Sequence, residues 1–215
     1  MQLNLRHLAL VIFFLPIITV IVSFILSVNF DIISYCIPNI EGCTSISRVG
    51  RYAPVKYFFK PMMYLSGFLF FLYWNKNFLF LKKIKYSKKL IIFNFFGIVS
   101  TIFLFLYIFY LGESNTYRFF RKIGIFIYIL FTLLAQLNLS IQYLKLKNIN
   151  KKIFNNNFVN IKMYYILFLL VVGLICFPIL ITKVENFPEI KNIISWNYFF
   201  LIQIYYLLNF FCLKK

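Results

Sequence analysis

The sequence predicts an all-α fold, a polytopic bundle of six transmembrane helices with both termini in the cytoplasm. Three observations predict it. The chain of 215 residues is only 13% charged, about half the 25% usual in soluble domains. It is 62% hydrophobic and 22% aromatic, with 30 phenylalanines and 16 tyrosines, more apolar surface than a soluble core of this size can cover. Its mean hydropathy is +0.84, and stretches free of Asp, Glu, Lys and Arg recur at the length of roughly 20 residues that a bilayer core of about 30 Å requires.

The expected spans are residues 8–28, 54–75, 90–111, 121–144, 163–182 and 192–213 of one membrane domain covering 1–215. The first has a longer apolar run than a signal peptide and lacks a small-residue cleavage site after Ser27-Val28-Asn29-Phe30, so it is expected to be retained. The second is uncharged only from Pro61 to Asn75 and reaches spanning length if its helix starts near Pro54, with Lys56 and Lys60 snorkelling toward the headgroups. Pro16 and Pro178 lie inside spans, where packed neighbours can satisfy the carbonyls they free. The Asn- and Lys-rich stretch 148–160 reads as a solvated connector.

The net charge of +18 sorts by side. Arg6, the loop lysines Lys76, Lys82, Lys83, Lys85, Lys88 and Lys89, then Lys145, Lys147, Lys151, Lys152 and Lys162, and finally Lys214 and Lys215 fall on one side with no acid among them. The opposite side carries Asp31, Glu41, Glu113, Glu185 and Glu189 with the remaining bases. The positive-inside rule makes the acid-free side cytoplasmic. Most of the charge is thereby a topology signal, and nucleic acid is not an expected partner, because no stacking aromatics interleave with the lysines in a recognisable module.

The non-cytoplasmic loop at 29–60 differs in composition from the other connections, and it is expected to be ordered. Cys36 and Cys43, flanking Pro38 and Gly42, are expected to form a disulfide on an oxidising side of the membrane. Cys176 and Cys212 fall within spans and read as small apolar fillers. Downstream, Ser45, Ser47, Arg48 and Arg51 lead through a turn at Gly50 to a helix start at Pro54, where the helix dipole favours anions. Lys56 and Lys60 follow at i and i+4 beside Tyr57, and Arg118, Arg121 and Lys122 open the fourth span on the same side. Bases clustered where positive charge is normally depleted point to a pocket for an anionic lipid or phosphorylated glycolipid headgroup. The competing reading is bases that merely anchor helix ends, and the sequence alone weights the two equally.

The stretch Ser45-Ile-Ser47, Gly50, Pro54, Lys56-Tyr57 and Phe59-Lys60 resembles the motif of the DRAM/Sfk membrane family, as does the layout of six spans with a long first outer loop. The resemblance implies lipid handling, in a family that includes a factor of GPI-anchor lipid remodelling. Two positions depart from it: Arg121-Lys-Ile-Gly124 stands where members often carry His-x-x-Gly, and Ser195-Trp196 where they often carry Glu-Trp.

Missing residues narrow the chemistry. The single histidine, His7, lies at the cytoplasmic edge of the first span, so neither a nucleophile–histidine system nor a zinc site is expected, and no cofactor is implied. Gln136 with Ser140 and Asn138 with Gln142 form i, i+4 polar pairs in the fourth span, and Asn197, Gln203 and Asn209 lie in the sixth. They read as interhelical hydrogen bonding or, alternatively, as a polar path. Lipid binding or remodelling at the non-cytoplasmic leaflet, with binding favoured over catalysis, is the leading reading. A small transporter, a regulator of transbilayer lipid distribution and a scaffold are the alternatives. The expected location is the plasma membrane of a microbe, or else a secretory-pathway membrane.

Overall fold

A chain whose backbone must satisfy its own hydrogen bonds in lipid has the α-helix as its simplest solution, and the computed structural model is predominantly helical, without a named strand, over its described residues, 2–84, 88–112, 115–147, 153–181 and 188–214. Six long helices appear: α1 (Gln2–Asn29), α4 (Lys56–Ile84), α5 (Lys89–Phe109), α6 (Asn115–Lys147), α7 (Asn156–Ile181) and α8 (Pro188–Cys212). Two single-turn helices, α2 (Pro38–Glu41) and α3 (Ile46–Val49), lie between α1 and α4. Each long helix packs on the next, and α8 closes on α1, so the long helices form a ring in chain order.

Five of them, all but α4, are long and apolar enough to cross a membrane. The second element differs from its expectation at both ends. It starts at Lys56 instead of Pro54 and continues to Ile84, carrying Lys76, Lys82 and Lys83 within the helix. Those lysines, with Lys56 and Lys60, lower the hydropathy of a helix of 29 residues that is long enough to cross a bilayer. Helix α6 begins upstream of its expected start at residue 121. Thr182, the expected last residue of the fifth span, lies outside the described residues, as do Lys85, Glu113, Lys151, Lys152, Glu185 and Lys215.

The first helix shows how one face is turned inward and the other outward. On α1, Leu5, Ala9, Ile12, Val20, Ser23 and Ser27 are buried at helical spacing, while Val11, Phe14, Ile18, Ile21 and Ile25 are exposed. Thr19 returns its hydroxyl to the Leu15 carbonyl (2.7 Å), so it enters the interface without an unmet donor. The centre of the ring is filled by Tyr73, Trp74, Tyr143, Tyr205 and Tyr206, all fully buried. Gly97 lets Trp74 lie directly on the α5 backbone, because a Cβ there would stand 2.3 Å from its ring.

Polar groups cross-link this aromatic interior. Tyr143 donates to Asn77 Oδ1 (2.7 Å), and the Asn77 amide donates to the Tyr73 carbonyl (2.9 Å). Tyr205 donates to the Gln136 carbonyl (2.7 Å) and shares a hydrogen bond with Ser140 (3.0 Å). Lys162 departs most from its expected place. Assigned by sequence to a cytoplasmic loop, it sits within α7, 0% exposed. Its ammonium donates to Asn209 Oδ1 (2.5 Å) and lies over the rings of Tyr143 (4.1 Å) and Tyr205 (4.6 Å). A charge without water is tolerable when acceptor and ring faces replace its hydration shell. Near this end of the bundle a single antiparallel bridge joins Phe154 to Leu213.

Candidate functional site

The segment between α1 and α4 is held from three directions. Cys36 and Cys43 form the expected disulfide. Pro38 opens α2, and Gly42 closes it with φ +67, in the left-handed region that favours glycine. Gly42 is required twice, since a Cβ there would lie 2.2 Å from the Glu189 carbonyl oxygen of α8. Helix α8 supplies side-chain donors along this contact: Asn192 to the Gly42 carbonyl (2.7 Å), Trp196 Nε1 to the Thr44 carbonyl (2.8 Å) and Asn197 to the Asn39 carbonyl (2.9 Å). Ser27 of α1 donates to the Val49 carbonyl (2.9 Å).

This anchoring fixes the residues that follow. Ser45 caps α3 by accepting from the Arg48 amide (3.2 Å) and hydrogen-bonds to Ser47 (3.2 Å). Ser47 in turn receives a weak hydrogen bond from Arg51 Nη2 (3.5 Å). Gly50 lies in a turn, but its φ of −91 is open to other residues. What requires glycine there is the ring of Phe59, 2.4 Å from where a Cβ would stand. Pro54 is not in the first turn of α4, as the sequence suggested. It follows a cis peptide bond after Ala53, and the helix begins two residues later. Val55 and Phe59 are buried, and Lys56 and Lys60, each one position further on, share the neighbouring, half-buried face.

Those two lysines line an open cleft of about 380 Å³ with Arg51, Tyr57, Pro61, Leu111 and Gly112. One wall is α4; the other is the end of α5. Behind that second wall Arg121 of α6, only 8% exposed, donates from Nη1 to the Gly112 carbonyl (3.0 Å). The guanidinium of Arg121 lies within electrostatic reach of Arg51, Tyr107, Arg118 and Tyr52, and Lys60 within reach of Lys56. Arg51 Nε is buried with no hydrogen-bond partner. Among the described residues no carboxylate pairs with Arg51, Lys56, Lys60 or Arg121; Glu113, next after Gly112, lies outside them. Like charges gathered in a partly desolvated cleft repel, and an anion between them removes that cost.

The structure therefore brings together Arg51, Lys56, Tyr57 and Lys60, with Ser47 holding Arg51 and Arg121 buttressing the far wall. Ser45 is a helix cap and Gly50 a packing position. Arg48 is exposed on α3 and does not line the cleft. Arg118 and Lys122 are exposed on α6, close enough to Arg121 to repel it but outside the cleft. Sequence reasoning missed the Leu111–Gly112 wall. Its only signal was that the uncharged run of the third span ends there, level with the start of the second. Compared with family models, curated proteins and solved structures, the chain matches none.

Proposed function

We propose that the chain is a six-span integral membrane protein, with α4 as the sixth span and both termini cytoplasmic, that binds the phosphate of an anionic lipid headgroup in the cleft between α4 and α5. Several helices of spanning length and apolar character support the membrane setting. The observation that carries the headgroup reading is the cleft lined by Arg51, Lys56 and Lys60 and backed by Arg121, with no carboxylate partner among the described residues. Tyr57 lines the same cleft, with the ammonium of Lys56 5.3 Å from its ring centroid. Guanidinium and ammonium groups supply the charge-assisted donors that phosphate oxygens accept, and at a headgroup level they meet phosphate from the membrane side. The likeness of the stretch from Ser45 to Lys60 to the DRAM/Sfk motif supports the same theme of lipid handling. The lining groups hold an anion, and binding is the role assigned to them.

The test is native mass spectrometry of the purified full chain from micelles containing equal phosphatidylglycerol and phosphatidylcholine. Preferential retention of phosphatidylglycerol is expected, falling roughly tenfold, or about 1.4 kcal/mol, when Lys56→Ala and Lys60→Ala are combined. Equal retention of the two lipids by the unaltered protein would overturn the reading.

A further inference from the structure

Below the basic cleft, on the same two helices, lies a second concavity of about 360 Å³ lined by Tyr64, Ile102, Phe105, Leu106 and Phe109. The two are continuous in register. Tyr64 follows Lys60 by four residues on α4, hence on the same face. Phe109, Leu106 and Ile102 descend α5 from Leu111, a wall of the upper cleft, over roughly 13 Å of helix. The floor is made of rings: Tyr64 and Phe105 stack with centroids 5.8 Å apart. Gly67 lets Phe105 lie flush against α4, since a Cβ there would stand 2.5 Å from its ring. The rims are open, with Phe109 64% and Ile102 51% exposed.

We infer that this groove seats an acyl chain of the phospholipid whose phosphate occupies the basic cleft, so that the protein holds one lipid at two points. The inference rests on the headgroup reading above and adds the chain to it. Charge complementarity chooses the occupant. A headgroup held by Arg51, Lys56 and Lys60 places its glycerol esters at Pro61 and Leu111, and the apolar channel that opens directly below is where the attached chain runs. A soluble phosphate would use only the upper half.

The experiment compares dioleoyl- with dihexanoyl-phosphatidylglycerol binding to the full chain in maltoside detergent by native mass spectrometry, with inorganic phosphate as competitor. Ile102→Trp with Leu106→Trp fills the groove from its lipid-facing rim without entering the ring interior. The unaltered protein is expected to bind the dioleoyl lipid at least tenfold more tightly than the dihexanoyl lipid. The double tryptophan variant should lose that advantage while binding the dihexanoyl lipid unchanged. Equal affinity for the two chain lengths in the unaltered protein, an undiminished preference in the tryptophan variant, or phosphate displacing both lipids equally well would overturn the inference. Failure of the headgroup reading looks different: Lys56→Ala with Lys60→Ala would then weaken neither lipid.

Discussion

Arg121 of α6 donates a 3.0 Å hydrogen bond to the carbonyl of Gly112, just past the end of α5, and the residue as a whole is only 8% exposed. The bond gives a partner to a carbonyl in the non-helical chain that follows α5, and it fixes a positive charge behind the basic cleft. Arg121→Gln should weaken phosphatidylglycerol retention severalfold and cost about 1–2 kcal/mol of stability. Arg121→Lys, which keeps the charge and loses the planar fork, should fall between the two in retention. Thermal unfolding and native mass spectrometry on the three proteins check this; unchanged lipid retention in the glutamine variant would remove Arg121 from the site.

The Lys162–Asn209 pair should behave asymmetrically. Asn209→Leu strands a buried ammonium and should cost about 3–5 kcal/mol. Lys162→Met replaces that ammonium with an apolar side chain of similar length between Tyr143 and Tyr205 and should cost far less. The double substitution should recover most of the loss seen in Asn209→Leu. Denaturant titrations of the four proteins in one detergent give the coupling, and additive losses would show that the two residues do not depend on each other.

Gly42→Ala should be strongly destabilising, by more than about 1 kcal/mol. It combines a left-handed φ of +67 with a collision against the Glu189 backbone. Gly50→Ala meets only the ring of Phe59 at an ordinary φ, and a ring can shift where a backbone cannot. Melting temperatures should therefore rank the unaltered protein above Gly50→Ala and Gly50→Ala above Gly42→Ala.

Orientation is open to labelling. Cysteine placed at Arg48 should react with a membrane-impermeant maleimide in sealed cells, and cysteine at Lys76 should react only after permeabilisation. The reverse pattern would invert the topology read from the lysines.

The long helices were legible in sequence because a bilayer imposes a length and excludes charge, a one-dimensional rule that uncharged runs obey directly. Helix α4 was legible only by allowing Lys56 and Lys60 to snorkel, and its end at Ile84 was missed because Lys76, Lys82 and Lys83 read as loop. The same habit of counting charges misplaced Lys162. Its partners, Tyr143, Tyr205 and Asn209, come from two other helices, and no local pattern marks them. The polar pairs of the fourth span were half right. Ser140 reaches Tyr205 across the interface, whereas Asn138 spends its amide on Leu134 in its own helix. At the cleft, the i, i+4 spacing placed Lys56 and Lys60 on one face. The wall opposite them depends on where α5 ends in space, which spacing cannot convey.

The most direct measurement is an experimental density map of the full chain in nanodiscs rich in phosphatidylglycerol. The account expects phosphate density within hydrogen-bonding distance of Arg51 and Lys60, continuing as a chain past Tyr64 and Leu106. A cleft empty of lipid, with the Glu113 carboxylate paired to Arg51 or Lys60 in its place, would contradict it.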